Sequence, residues 1–124
     1  MPYINDWNSY GLHRSFFGCV TGEEIFQANL ILQRDQRFLC ANYIINNFTD
    51  MTGHTLTEAD AHLLANTDNI IADIKGPLNI AIIVVNEEQR LLAQNYVDLM
   101  DGSVYCCRIF NQLSDAHEWL DILL

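Results

Sequence analysis

The chain has 124 residues, half of them hydrophobic, and 6 basic against 16 acidic side chains give a formal net charge of -10. A chain of this length is read as one domain spanning residues 1–124, with enough apolar material to fold without disulfides or metal. Its negative field opposes phosphate backbones and anionic headgroups, which disfavours nucleic acid as a partner.

The opening Met-Pro-Tyr-Ile-Asn-Asp-Trp lacks the basic stretch and apolar run of a secretory signal, and Ile80 to Val85 is too short to cross a bilayer. With four cysteines and no signal, a reducing, cytoplasmic setting is expected. Tyr3 to Trp7 offers a short extra strand. Gly11 to Val20 reads as a strand with Leu12, Phe16 and Cys19 or Val20 turned inward. Thr21-Gly22-Glu23-Glu24 forms a capping box: the hydroxyl accepts from the amide of Glu24 while the Glu24 carboxylate reaches back. Ile25, Ala28 or Asn29, and Leu32 then carry a helix to about Gln33.

Arg34-Asp35-Gln36 reads as a polar turn and Phe38 to Phe48 as a second strand. Thr49-Asp50-Met51-Thr52-Gly53-His54 is rich in turn formers and is read as a loop. Thr57-Glu58-Ala59-Asp60 caps a helix bearing Ala61, Leu64 and Ala65. Helical character continues, with a break allowed near Asn66 to Asp68, through Ile70, Ile71 and Ile74 to a stop at Lys75-Gly76-Pro77. Leu78 to Asn86 is the strongest strand, because the run from Ile80 to Val85 implies burial on both faces. Glu87 and Glu88 suit a helix N-terminus, and that helix presents Leu91, Leu92, Tyr96 and Leu99 before a stop at Asp101-Gly102. Val104 to Phe110 is a fourth main strand. Ser114-Asp115 caps a last helix with Ala116, Trp119, Leu120 and Leu123 inward. Strand-helix alternation of this kind predicts an α/β fold with a largely parallel sheet.

Catalytic signatures are missing. There is no Gly-x-Gly-x-x-Gly, no Gly-x-Ser-x-Gly, and the single lysine, Lys75, precedes Gly-Pro at a helix end instead of closing a phosphate loop. Cys19, Cys40, Cys106 and Cys107 all fall in segments read as strands and are expected to be buried thiols; the adjacent pair points to opposite faces and cannot bridge. Cys40 or Cys106 as a nucleophile would need an electropositive setting that so few cations do not supply. His13, His54, His62 and His117 match no zinc spacing, so no metal and no cofactor are expected. His54 and His62 flank a helix start, and His54 with Asp50 and Asp60 is the one grouping suited to acid-base chemistry.

Two regions are candidates for binding. The segment Asn46 to His54 follows a core strand and offers Asn46, Asn47, Thr49, Asp50, Thr52 and His54, and ligands of α/β sheets favour such positions. The tail carries Trp119, Ile122, Leu123 and Leu124, more apolar residues than one helix face can bury, which suits an interface.

Four landmarks carry a resemblance: Gly18 with Val20-Thr21 and Glu24, Tyr43 to Phe48, Leu78 to Ile83, and Ala116-His117-Glu118-Trp119-Leu120. In these the chain resembles the small SpoIIAA-like proteins of the STAS superfamily, the sulfate-transporter and anti-sigma-factor antagonist domains. The resemblance implies a STAS-like mixed, mostly parallel sheet of four or five strands with helices packed largely on one side, and a role as an interaction module. Signalling members are switched by phosphorylation of a Ser or Thr after a core strand. The comparable segment here offers Thr49 and Thr52 but lacks the Asp-Ser arrangement of those members.

Together these readings predict a non-enzymatic regulatory or binding module. It acts through a protein partner, self-association or a small apolar ligand. The alternative is a small enzyme using Asp50, His54 and Asp60.

Overall fold

Strand alternation sets the layers. In β2 (Gly11–Val20), Leu12, Arg14, Phe16 and Val20 turn to one face and are buried. In the computed structural model, which describes residues 2–123, that strand lies second in a five-stranded sheet. The other strands are β1 (Tyr3–Trp7), β3 (Tyr43–His54), β4 (Leu78–Ile83) and β5 (Tyr105–Phe110), and the order is β1-β2-β3-β4-β5. β1 runs antiparallel to β2 and every other neighbouring pair is parallel.

The inner face, carrying Leu12, Ile44, Ile80 and Ile82, is covered by α1 (Gly22–Arg34), α2 (Gln36–Cys40), α3 (Glu58–Lys75) and α4 (Glu87–Leu99). On the opposite face Tyr43, Ile45, Ala81 and Ile83 pack under α5 (Leu113–Leu123), through Ala116 and Leu120. The helices therefore lie largely on one side, as the resemblance implies. Both predicted capping boxes form: Thr21 with Glu24 opens α1, and Thr57 with Asp60 opens α3.

Several elements depart from the reading of the sequence. Gln36 to Cys40 is not strand but a short helix, because Asp35 accepts from the amide of Arg37 and starts a turn of helix that buries Phe38. The strand begins at Tyr43 and runs to His54, so Thr49 to His54 is strand and not loop. Two irregularities in the β2–β3 register explain the misreading. Ser15 pairs with Asn47 but Phe17 with Asp50, and Gly18 pairs with Met51 but Cys19 with Gly53. Each inserts one extra residue in β3 and reverses its alternation, so the buried series runs Ile44, then Met51, then His54. Gly18, at φ 71, supplies the backbone conformation beside the second shift.

The strand expected over Leu78 to Asn86 stops at Ile83, and although Ile80 to Val84 are buried, Val85 is exposed. Helix α3 runs unbroken through Asn66 to Asp68, and Asp68 faces inward with Ala61, Ala65 and Ala72. In α4 the buried positions are Gln89 and Ala93, while Leu91 and Leu99 are exposed. Gln89 tolerates burial because its side-chain oxygen accepts from the Val85 amide at 3.0 Å. The predicted cap of the last helix is displaced, since α5 already begins at Leu113.

The cysteine expectation is overturned. Cys40 ends α2, and Cys19, Cys40 and Cys106 are exposed; only Cys107, half-buried on the inner face of β5, behaves as expected, with burial pushing its thiol up to about 12. The exposed three occupy outward or terminal positions that a count of apolar neighbours does not distinguish from the core.

Candidate functional site

The space between the inner sheet face and α1, α3 and α4 is not filled. A cavity of about 110 Å³ lies there. Its walls are mainly apolar, with Phe16, Ile25, Leu64, Ile80, Ile82 and Ala93 among them. Small side chains on the covering helices, Ala61 and Ala93, leave the room that larger ones would take. Leu56, Thr57, Asp60 and His54 line the end of this space at the carboxyl ends of the strands, where Thr57 is exposed.

A buried polar group lines the cavity. Arg14 is 2% exposed; its Nε donates to Asn46 Oδ1 at 3.0 Å and its Nη2 to Asn29 Oδ1 at 2.7 Å. Its Nη1 has no partner. The guanidinium also stands 5.1 Å from the centre of the Phe16 ring. Burial lowers its pKa to about 10, partly offset by the negative field of Asp68, so it stays charged at neutral pH. On α3, Asp68 accepts from the Tyr96 hydroxyl at 2.6 Å. Burial raises the Asp68 pKa to about 6 against the opposing influences of Tyr96 and Arg14. Tyr105, on β5, buries its hydroxyl without a partner.

Among the residues expected to bind, the strand shift separates two groups. Asn46 and His54 line the cavity. Asn47 turns to the other face, where its amide lies 3.2 Å from His13 Nε2, and its Oδ1 also accepts from the Thr49 amide at 3.0 Å. Thr49, Asp50 and Thr52 are exposed on β3 and do not line the cavity. The grouping of Asp50, His54 and Asp60 is thus divided: His54 and Asp60 share the cavity wall, Asp50 does not. His54 Nδ1 accepts from the Leu56 amide at 3.1 Å, and Nε2 lies 3.3 Å from Glu88 Oε1 without hydrogen-bond geometry. Asp60 is committed to the cap of α3.

On the outer face, burial lowers the pKa of His13 and the nearby His117 reinforces it, with Asp6 opposing. Among the described residues, no three of His, Cys, Asp and Glu gather as metal ligands. At the tail, Trp119 is half-buried with its ring centre 5.5 Å from that of Phe110, whereas Ile122 and Leu123 are exposed; Leu124 lies outside the described residues.

Arg14, Asn29, Asp68, Tyr105 and Gln89 were not singled out as site residues in the sequence. Arg14 left a signal, because it stands in the inward register between Leu12 and Phe16. Asp68 left one as well, continuing the spacing of Ala61 and Ala65.

No known family profile and no curated protein sequence matches the chain. Solved structures do. The chain is similar to an uncharacterized protein of the DUF3478 family with a SpoIIAA-like fold from Shewanella loihica PV-4, at TM-score 0.57 and 18% identity, covering 95% of this chain and 91% of that one. It is also similar to the anti-sigma factor antagonist SpoIIAA in its unphosphorylated form, at TM-score 0.62 and 11% identity, covering 98% of this chain and 96% of that one. The fold of the chain is SpoIIAA-like.

Proposed function

We propose that this chain is a non-catalytic regulatory binding module whose working site is the interior cavity, which takes a small, mostly apolar ligand. The cavity itself carries the reading. Protein interiors pack close to crystal density, and an apolar void forfeits contact energy unless something fills it. Here the void reaches the carboxyl ends of parallel strands, and its mainly apolar wall carries polar groups, Arg14, Asn46, Asp68 and Tyr105 among them, the composition of a small-molecule site. The divided Asp50, His54 and Asp60 grouping gives no support to the enzyme alternative. Three exposed cysteines suit a reducing, cytoplasmic setting.

Xenon is a suitable neutral probe, small enough for this volume. Titrated into the protein and followed by NMR, it is expected to shift the methyl signals of Ile25, Leu64, Ile80 and Ile82 and to raise the melting temperature by mass action. Ala93→Leu, which adds volume at the wall, is expected to abolish those shifts without lowering the melting temperature. Surface-only shifts, or unchanged binding in the filled variant, count against the reading.

A protein partner is the second reading, favoured by one observation: Ile122 is 79% exposed beside exposed Leu123 at the end of α5. Thr49 and Thr52, both exposed, are accessible to a kinase in the same scheme. Ile122→Asp is expected to abolish capture of that partner or self-association, read by sedimentation, while leaving the xenon response intact.

A further inference from the structure

The polar atoms left over inside the cavity are unequal in kind. Arg14 has no acceptor for Nη1, and a guanidinium can only donate. The acceptors it does have, Asn29 and Asn46, are neutral amides, so no contact neutralises its charge. Asp68 is not within ion-pairing distance of it and is already engaged by Tyr96. Tyr105 adds a hydroxyl without a partner, and His54 Nε2 is a third such atom among the lining residues. The interior therefore holds donors without acceptors and a cation that its charged neighbour Asp68 does not touch, beside a mainly apolar space. Buried charge is retained at low cost only when it is paired and hydrogen-bonded.

Resting on the reading of the cavity as a ligand site, we infer that its ligand is a short-chain monocarboxylate, whose carboxylate accepts from Arg14 Nη1 and whose hydrocarbon tail fills the apolar space. Charge-assisted bonds of this type are the strong ones, and guanidinium geometry suits a carboxylate. The Tyr105 hydroxyl supplies a further donor. Size limits the tail: a cavity of about 110 Å³ is smaller than the roughly 150 Å³ apolar cavity that admits the six carbons of benzene, which leaves room for about four or five heavy atoms and so for an acid of about three carbons. A dianion such as phosphate is disfavoured, because Arg14 is the one arginine or lysine lining the space and Asp68 is close by. Asp68 accommodates a monoanion, since burial already raises its proton affinity and an arriving negative charge raises it further.

The test compares propanoate, 1-propanol and inorganic phosphate on the full chain by calorimetry and methyl NMR. Propanoate is expected to bind at least about tenfold more tightly than 1-propanol, a ratio that Arg14→Met removes and Tyr105→Phe reduces several-fold. Tyr105→Phe deletes only an unpartnered oxygen, so it reports even where Arg14→Met fails to fold. If 1-propanol binds as tightly as propanoate, the cavity reading survives and the carboxylate assignment falls. Phosphate displacing propanoate at equal concentration overturns the monocarboxylate class. If neither propanoate nor propanol reaches the interior methyls, the cavity is not a ligand site at all.

Discussion

Arg14 and Asp68 are charged residues placed by period on inward faces, one by the two-residue repeat of β2 and the other by the helical repeat of α3. Their burial has a consequence for stability. Asp68 has a folded pKa of about 6 against an ordinary 3.8, so its contribution is favourable while the carboxyl is protonated and is lost as pH rises through 6. Above that, the ionised group costs about 3 kcal/mol relative to its ordinary titration. Asp68→Asn keeps an acceptor for Tyr96 and removes the titration. Urea denaturation at several pH values should therefore show the variant gaining on the wild type between about pH 3 and about pH 7, by up to about 3 kcal/mol. A difference between the two proteins that is flat with pH would show that Asp68 titrates normally.

Elements show where local pattern sufficed and where neighbours overrode it. Thr21 and Thr57 start their helices as their sequences require, since a capping box is satisfied within four residues. In contrast, β3 runs on through a stretch of turn formers because β2 beside it offers a complete ladder of backbone partners, and the two inserted residues are absorbed as irregularities. Two glycines mark contacts between elements. A side chain at Gly11 would collide with the Tyr43 backbone carbonyl, and one at Gly22 with the Asp60 carboxyl in the cap of α3. Gly11→Ala is expected to lose about 2–4 kcal/mol, since backbone cannot yield readily. Gly22→Ala should lose about 1 kcal/mol, the worth of a displaced cap. Equal losses in chemical denaturation would contradict that ranking.

For the whole molecule, a net charge of -10 on 124 residues makes the folded state repel itself. Raising sodium chloride from about 0.01 M to about 0.3 M shortens the screening length several-fold, so the melting temperature should rise. A fall would mean that specific ion pairs outweigh the general repulsion, although the only Lys/Arg pair among the described residues is the exposed Arg37–Asp35 contact. No helix among the described residues is long and apolar enough to cross a membrane.

By itself the sequence determined the α/β class, the strand-helix order, both capping boxes and the buried run from Ile80 to Val84. Each is written in spacings of two to four residues, within reach of local hydrogen bonding and side-chain period. Only the tertiary structure decided the length of β3, the exposure of three cysteines and the making of the cavity. Arg14, Asn29, Asp68 and Tyr105 come from four elements far apart in the chain, and the space they border exists because small residues on the covering helices meet the sheet there. Volume left empty between packed layers depends on how all the layers meet, and no single segment of sequence records it.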